Sequence, residues 1–394
     1  MGRLTTVPPS KLRELREKFH QDLRGDPLCF VPDSQKQGKQ VVSNADEANT
    51  TSVLIAQAIA DRIRNVPARD RRLAPQTAGD NFEKHVCSFV EATFKLLRHL
   101  RPGEWEVRKI SRRDRLALAK NEQYAHLKII DKYAQNYPEL AAALGSDYLV
   151  SSDVIVTRKT LSDEQINNIP GPTERTPVVD DTVGTRSCLR TPKGTTGEES
   201  KRDLLHATIS CKWTIRSDRS QNTRLEAQNL SRNRKGNQPH IVVVTGEPLP
   251  ARLASVALST GDIDCVYHFA LDELLDAVES LKIEFEQRRE SSKPQRELVE
   301  KNKQELIALR RDKKFLRQQK DSEAKAKCAE IARQIRVKID ENKLIVATLK
   351  STEGADTRTG GQLQKLIEEQ KDLKKIVDGK RLKDIADLPL DLAV

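Results

Sequence analysis

A short stretch of the chain, residues 206–226 (HATISCKWTIRSDRSQNTRLE), carries side chains whose types and spacing suit chemistry on phosphate groups. Ser210 and Lys212 lie two apart in a strand-like run, so their side chains point to the same face. Glu226 follows Lys212 by fourteen residues and can return to it from the next helix. Asp153 is a lone acid in the apolar run VSSDVIV, where burial is costly unless the carboxylate is paired or binds a metal. Together they predict metal-assisted hydrolysis of a phosphodiester, with a cation near the attacking water.

Two more groups complete this candidate site. Glu83, on a helix predicted over Asn81–Leu100, is a further acid. Cys211 points away from Lys212, but its backbone carbonyl can still reach a metal. Each residue also has an ordinary interpretation. Asp153 could face solvent on an edge strand, the lysine could be a surface residue, and the helix acids could be ordinary exposed glutamates.

The residues that follow the predicted catalytic strand are suited to reading bases. Arg216, Asp218 and Arg219 form a segment that we call RSDR (Arg216–Arg219). Arginine donates two hydrogen bonds to guanine O6 and N7, and aspartate accepts one from the cytosine amino group. The RSDR segment would therefore read adjacent C·G pairs beside the point of cutting. The alternative is a charged loop with an internal salt bridge.

Alternating helices and strands must position these residues. Apolar and β-branched runs predict four strands, at 148–157, 206–215, 240–246 and 265–269. Apolar residues at helical spacing predict helices near 53–63, 81–100 and 223–232, and another from about 271. The fold class is therefore α/β, a mixed β-sheet flanked by helices. Residues 158–201 are polar and predict an excursion or a partly disordered loop.

The C-terminal part has a different texture. Residues 285–394 contain 27 Lys and Arg against 20 Asp and Glu. Apolar residues recur there at alternating steps of four and three, with one polar position at Asn342: Cys328, Ala332, Ile335, Ile339, Val346 and Leu349. After a break at 351–361, a second helix is predicted through 363–377. We expect an α-helical hairpin or coiled-coil extension, and the alternative is a charged amphipathic helix packed on its own domain.

The bulk properties bound the class of protein. We expect an N-terminal helical and polar segment at 1–40, a catalytic domain at 41–285 and the extension at 286–394. A net charge of +11 with a pI near 9.3 favours a polyanionic partner. The six cysteines form no CxxC pair, which argues against metal-thiolate sites and disulfides and fits a cytoplasmic protein. No apolar run approaches the length that spans a membrane.

The segment ISCKWTIRSDRSQNTRLEAQNLSRNRKG resembles the active-site segment of the NgoMIV-type restriction endonucleases, in the PD-(D/E)XK nuclease superfamily. The resemblance covers roughly residues 43–283. It includes SNAD (43–46), PQTAGDNFE (75–83), SSDVIV (151–156) and GEPLPAR (246–252). It implies a restriction-endonuclease-like fold for this part of the chain.

The resemblance implies roles for the candidate catalytic residues. Asp153 and Glu83 would bind Mg²⁺, and the carbonyl of Cys211 would be a further ligand. Lys212 would be the catalytic lysine, flanked by Ser210.

Some features depart from the usual pattern of the superfamily. Glu226 would supply, from a helix, the acid that most members carry two residues before the lysine. Ser152 stands where the motif has proline. The segment between Asp153 and Ser210 is longer than is usual in the family, and the chain after about Glu290 lies outside the family core.

The resemblance also implies which residues read the DNA. The RSDR segment would read the central CCGG pairs. Arg252 would contact the outer guanine in the major groove, Gln76 would contact the minor groove, and Asp46 would contact the outer cytosine. The implied target is GCCGGC, cut to leave 5′ overhangs.

The resulting hypothesis is a type II restriction endonuclease of the prokaryotic cytoplasm. Such enzymes act on double-stranded DNA as homotetramers, dimers of dimers that grip two sites, and share their system with a cognate DNA methyltransferase. One alternative is a catalytically silent DNA-binding or scaffolding protein on the same fold, although every candidate catalytic residue is present. The other is a structure-specific nuclease of repair or mobile-element defence, for which the RSDR segment would have no purpose.

Overall fold

The computed structural model describes residues 9–111, 113–145, 149–168, 176–191, 202–215, 217–259, 261–318, 322–353 and 361–394. The side chains of residues 217–219 and 350–353 are outside this description. Contacts divide the chain into two units. The first consists of Met1–Leu275 with Asp372–Val394, and the second of Asp276–Lys371.

The first unit is built around a mixed sheet of six strands in the order β3-β4-β5-β6-β7-β8. A separate antiparallel pair joins β1 (Phe30–Pro32) and β2 (Gln40–Val42). The strands of the main sheet are β3 (Trp105–Lys109), β4 (Val154–Arg158), β5 (Leu204–Lys212), β6 (His240–Thr245), β7 (Cys265–His268) and β8 (Leu382–Asp384). The first three strands run antiparallel, and β5 to β8 run parallel. This confirms the α/β fold with a mixed sheet.

The central strands are buried on both faces. All six residues of β6 except His240 are buried, and β7 is buried throughout. Their sequences, HIVVVT and CVYH, are rich in β-branched and aromatic residues, which suit a strand covered by helices on both faces. The sheet therefore provides a rigid base for side chains at the ends of its strands.

Nine helices in the described residues precede the long C-terminal helices. They are α1 (Lys11–Leu23), α2 (Thr50–Ile63), α3 (Pro75–Leu96), α4 (His126–Asn136), α5 (Pro138–Leu144), α6 (Asp163–Asn167), α7 (Ser217–Asn233), α8 (Pro250–Ala257) and α9 (Leu271–Ser291). Two short 3-10 helices cover Ala117–Lys120 and Glu122–Tyr124. Helix α3 buries an apolar stripe that includes Phe82, Val86 and Val90. It packs on β5 and β3.

The chain end returns to the main sheet, which was not predicted. Strand β8 pairs in parallel with β7 at the sheet edge. Arg16 of α1 donates to Asp384 of β8 at 2.8 and 2.7 Å and to Glu273 of α9 at 2.9 and 2.7 Å. Helix α1 and strand β8 are therefore both tied to the core of the first unit, and the division at residues 40 and 286 stays a prediction. The segment LKD is too short and too polar to signal a strand.

The second unit is helical, as expected for the extension. It contains α10 (Lys293–Leu316), α11 (Ser322–Glu353) and the first part of α12 (Gly361–Asp378). Asn302 lies opposite Asn342, and Lys313 lies opposite Cys328. As the number rises along one helix it falls along the other, so α10 and α11 form an antiparallel hairpin.

The polar position in the predicted apolar repeat has a partner in this hairpin. Asn302 Nδ2 donates to Asn342 Oδ1 at 3.1 Å, and Asn302 is 3% exposed. Lys338 Nζ donates to Asn302 Oδ1 at 3.2 Å. A buried polar pair of this kind sets the register of two helices.

The last helix, α13 (Leu388–Asp391), follows β8. None of the described helices combines the length and apolar character needed to cross a membrane.

Candidate active site

The candidate site forms where β4 begins and β5 ends. Asp153 directly precedes β4, and Val154 pairs with Ile209 of the antiparallel β5. This register places Asp153 beside the last residues of β5. The backbone N–H of Cys211 donates to Asp153 Oδ2 at 2.7 Å. Within the described residues, the other carboxylate oxygen of Asp153 accepts no hydrogen bond.

Lys212, the last residue of β5, lies between two carboxylates. Its Nζ is 3.3 Å from Glu226 Oε2 on α7 and 3.7 Å from Asp153 Oδ2. Ser210 Oγ donates to the same Glu226 oxygen at 3.4 Å. Burial lowers the pKa of Lys212, but the negative charges of Asp153 and Glu226 outweigh it and the pKa is raised. The lysine is therefore held as a charged ammonium, beside both acids with which the sequence analysis placed it.

The side chain of Cys211 points to the face of β5 opposite that of Lys212. Burial raises the pKa of the Cys211 thiol, and the charges of Asp153 and Glu83 raise it further. The thiol is neutral, so the backbone carbonyl is the group of Cys211 that suits a metal. Glu83, on α3, is 1% exposed, and its Oε2 is 3.3 Å from Lys109 Nζ.

The described residues contain no cluster of three or more His, Cys, Asp or Glu side chains able to hold a metal. The predicted ligand set is smaller, since it consists of two carboxylates, Asp153 and Glu83, and one backbone carbonyl. Mg²⁺ is usually held by one or two protein carboxylates and several waters. The chemistry of these donors therefore fits Mg²⁺.

One cleft of about 330 Å³ joins these groups to the predicted base-reading residues. Seven residues singled out from the sequence line it: Asp46, Gln76, Asp153, Cys211, Lys212, Glu226 and Arg252. Ser210 and Glu83 do not line it. Arg216 lies outside the described residues, as do the side chains of Asp218 and Arg219, although their backbone forms the start of α7.

Arg252 also lines this cleft, and we call the part around Arg252 its reading end and the part around Lys212 its cutting end. Its guanidinium forms an ion pair with Asp46 through Nη2. Its Nη1 is 3.7 Å from Glu247 Oε1. The structure therefore brings together the two residues to which the resemblance assigned the outer guanine and the outer cytosine.

A side-chain hydrogen bond joins the SNAD and GEPLPAR motifs. Asn44 Nδ2 donates to the carbonyl of Gly246 at 2.7 Å. The N–H of Gly246 donates to the carbonyl of Lys212 at 3.1 Å. A Cβ on Gly246 would lie 2.5 Å from the Trp213 ring, so only glycine allows this close approach. The end of β5 is thus fixed against both motifs.

Glu247 was missed in the sequence analysis although it lies within GEPLPAR. Its side chain is fully buried. Oε2 accepts from the N–H of Ile215 at 2.7 Å, and Oε1 accepts from the N–H of Leu249 at 3.2 Å. Burial raises the pKa of Glu247 to about 7, against the opposing effects of these N–H groups and Arg252. A lone acid beside an apolar strand was the available signal for Glu247, as it was for Asp153.

A mixed sheet that carries an acid before one strand and a lysine at the end of the next defines a nuclease of the restriction-endonuclease type. The chain belongs to the NgoMIV restriction enzyme family, whose model matches residues 20–290. It is similar to the type II restriction enzyme NgoMIV of Neisseria gonorrhoeae, with 50% identity over 244 residues. That match covers 62% of this chain and 81% of the relative. The protein is therefore a site-specific DNA endonuclease, and enzymes of this type generally use divalent metal ions.

Proposed function

We propose that this enzyme hydrolyses double-stranded DNA at the palindrome GCCGGC in a Mg²⁺-dependent reaction that leaves 5′ overhangs. The observation that carries the proposal is the single cleft shared by Lys212, Asp153, Arg252 and Asp46. Cutting groups and base-reading groups lie on elements tied by backbone hydrogen bonds. The 50% identity to the gonococcal type II restriction enzyme supports site-specific cutting of DNA.

In this proposal Asp153 and Glu83 would hold Mg²⁺ with the carbonyl of Cys211. Mg²⁺ held there would supply stabilisation of the negative charge that develops at the phosphate and would lower the pKa of the attacking water. The charged ammonium of Lys212 stabilises the same phosphate. Glu226 keeps Lys212 in the cleft, and Ser210 orients the Glu226 carboxylate through its hydroxyl.

Reading of the outer base pair is assigned to Arg252 and Asp46. Guanine offers two acceptors in the major groove and its partner cytosine offers an amino donor. A guanidinium and a carboxylate that lie side by side match that pattern on one G·C pair. The RSDR segment reads the four inner pairs, and Gln76 contacts the minor groove.

A plasmid assay tests the cut site. Purified enzyme with Mg²⁺ should give discrete fragments from a plasmid that carries GCCGGC, and the mapped ends should lie within it with 5′ overhangs. A matched plasmid with ACCGGT at the same position should stay intact. Random nicking, or cutting at both plasmids, would contradict the proposed sequence. Absence of cutting with retained site-specific binding would favour a catalytically silent binder.

We also propose that the enzyme works as a homotetramer in the cytoplasm of a prokaryote whose DNA is protected by a cognate methyltransferase. A dimer of dimers grips two sites at once. Sedimentation of the enzyme with cognate duplex should give four chains and two duplexes. A plasmid with two sites should be cut faster than a plasmid with one, and equal rates with a dimeric mass would refute the tetramer.

A further inference from the structure

The end of helix α10 forms a predominantly basic patch that has no part in the proposed cutting site. We call residues 310–318 (RRDKKFLRQ) the hairpin tip. It contains five basic residues and one acidic residue. The basic residues are Arg310, Arg311, Lys313, Lys314 and Arg317. Four of them are exposed and Lys313 is half-buried, while the aromatic ring of Phe315 is also exposed.

Five lysines along the body of the helical unit differ from the tip, because each of them has an acidic partner. Their ion pairs are Lys293–Glu290 at 3.4 Å, Lys303–Glu300 at 3.1 Å, Lys327–Glu323 at 2.8 Å, Lys343–Asp340 at 3.2 Å and Lys338–Glu305. Among the described residues, none of the five cations of the hairpin tip forms an ion pair. The charge of the tip is therefore not neutralised by the described part of the chain.

The helix dipole accounts for only part of this charge. Lys313 and Lys314 lie in the last turn of α10, where a cation is favoured by the partial negative charge of about 0.5 at the helix end. Five cations exceed that partial charge several-fold. Like charges three and four apart on a helix repel one another. The tip is thus costly to the protein alone and suited to an external polyanion.

The spacing of the cations fits a nucleic-acid backbone. Arg310, Lys314 and Arg317 fall at steps of four and three, so they share one face of α10. Seven residues of helix span about 10 Å. Duplex DNA presents one phosphate charge per about 1.7 Å of axis, so several phosphates lie within that span.

We propose that the hairpin tip binds the phosphate backbone of duplex DNA, independently of sequence. The partner is the class of molecule on which the enzyme acts, and the contact requires no base recognition. The proposal depends on the action on DNA and not on the sequence GCCGGC. It gives the C-terminal helical unit a role in holding DNA beyond the recognition site.

The test compares two full-length triple variants with the same change in charge. The tip variant carries Arg310→Gln, Lys314→Gln and Arg317→Gln. The body variant carries Lys293→Gln, Lys303→Gln and Lys327→Gln, all at ion-paired positions. Affinity for a site-free duplex is measured by fluorescence anisotropy over a range of salt concentrations without Mg²⁺, and circular dichroism checks the helix content.

The tip variant should bind more weakly than wild type. The slope of the logarithm of the binding constant against the logarithm of the salt concentration should become shallower by about 0.9 for each lost phosphate contact, or about 2.7 for three. The body variant should keep nearly the wild-type slope. Equal slopes in wild type and the tip variant would overturn the proposal, as would an equal loss in both variants, which would reflect net charge alone. The plasmid cut site is mapped separately, so failure of GCCGGC as the target leaves this result interpretable.

A different observation carries a second inference, at Glu247. We infer that Glu247 is a positioning residue that fixes Arg252 relative to Ile215, the residue directly before the RSDR segment. One carboxylate oxygen accepts from the N–H of Ile215, which directly precedes Arg216. The other accepts from the N–H of Leu249 and is 3.7 Å from Arg252 Nη1. A single buried side chain thus contacts both Arg252 and the residue that directly precedes the RSDR segment.

This inference rests on the proposed function and predicts a split between two variants. Glu247→Gln keeps an acceptor for Ile215 but removes the charge facing Arg252. Discrimination against a changed outer pair should fall about 2- to 150-fold, the range for losing the coupling between two side chains in contact. Discrimination at the central pairs should hold. Glu247→Ala removes the contacts with Ile215 and with Arg252, so discrimination should fall at both the outer and the central pairs.

The ratios of kcat/KM for cognate and altered duplexes distinguish positioning from simple destabilisation. A purely structural role would lower all rates in parallel and leave the ratios unchanged, and that result would overturn the inference. The wild-type cut site is mapped first. A different wild-type site would refute the proposed sequence, whereas unchanged ratios at the mapped site would refute the role of Glu247.

Discussion

The two ends of the cleft have the same arrangement of charges, in which one cationic side chain lies between two carboxylates. At the cutting end, Lys212 lies between Asp153 and Glu226. At the reading end, Arg252 lies between Asp46 and Glu247. Each triad carries one more negative than positive charge when all groups are ionised. DNA is itself an anion, so each end needs a way to compensate that excess.

The two ends differ in one carboxylate, because Asp46 at the reading end is 29% exposed, as open as the acids of the cutting end, whereas Glu247 is buried. The side chains of Asp153 and Glu226 are 18% and 37% exposed. The Glu247 side chain is 1% exposed and accepts from two backbone N–H groups. The open end suits a divalent cation that enters from solvent with its waters. At the closed end a proton can compensate the charge, because the pKa of Glu247 is about 7.

This contrast indicates a division between an adjustable end and a rigid one. Hydrolysis requires groups that admit a metal and a phosphate, whereas base reading requires donors fixed before DNA arrives. A lysine is a compact point charge on a flexible stem, and arginine presents a planar fork of donors. The choice of cation at each end therefore matches its task. Substitutions at the two ends should separate cutting from reading.

The largest effect is expected at the cutting end, from Lys212→Ala. Loss of a fixed group that stabilises developing charge costs about 10²- to 10³-fold in kcat. Affinity for the cognate duplex, measured without Mg²⁺, should stay near wild type, because the reading end is intact. Lys120→Ala removes an exposed ammonium bonded to Asp114 and serves as the control. Loss of specific binding along with cutting would show that Lys212 is mainly structural.

The next largest effect is a pH dependence of stability that arises from Glu247 at the reading end. The folded-state pKa of Glu247 is raised from 4.5 to about 7, so the folded protein retains a proton that the unfolded chain has lost. This proton contributes up to about 3 kcal/mol to the free energy of unfolding. The contribution is fully present below about pH 4.5 and is lost as pH rises through about 7. Arg252 and Asp46 face the carboxylate. The backbone carbonyl of Glu247 contacts His268, whose pKa is lowered to about 4 by burial.

Urea unfolding measures this pH effect in the first unit. The chain has two tryptophans, Trp105 and Trp213, and both lie in the first unit, so their fluorescence follows it. Between about pH 4.5 and 7, the free energy of unfolding of wild type should fall relative to that of Glu247→Gln. Parallel profiles for the two proteins would show that Glu247 does not titrate in this window.

A smaller effect is expected from Arg252→Ala at the reading end. Losing a two-point contact with guanine costs about 1–3 kcal/mol of discrimination. The loss should appear only when the outer pair is changed, whereas Arg219→Ala should relax discrimination at the central pairs by a similar amount. Ratios of kcat/KM on matched duplexes measure both. Uniform weakening on all duplexes by Arg252→Ala would mean that it contacts phosphate or only supports Asp46.

The cutting end could be predicted from the sequence because its signals are local. Asp153 is a lone acid in an apolar strand, and Ser210 and Lys212 share a face through strand alternation. The apolar repeat around Asn342 was likewise visible in the sequence. The pairing of Asn342 with Asn302 became evident only from the helical hairpin.

The missed features depend on contacts between distant segments. Strand β8 has three residues, and its place at the sheet edge is fixed by pairing with β7 and by Arg16. Glu247 resembles an ordinary loop acid until Ile215, Leu249 and Arg252 surround it. Neither the pairing of short parallel strands nor the burial of a single acid is set by neighbouring residues.

The smallest effect is expected from Ser210→Ala at the cutting end. The Ser210 hydroxyl donates to Glu226 at 3.4 Å, and Lys212 still holds the same oxygen at 3.3 Å without it. Loss of one such bond costs about 0.5–1.5 kcal/mol, so kcat should fall about 2- to 10-fold with KM unchanged. Ser152→Ala is the matched control, since its hydroxyl bonds only backbone carbonyls among the described residues. A loss as large as that of Lys212→Ala would mean that the hydroxyl acts on the phosphate directly, and the open end would then be less adjustable than its exposure indicates.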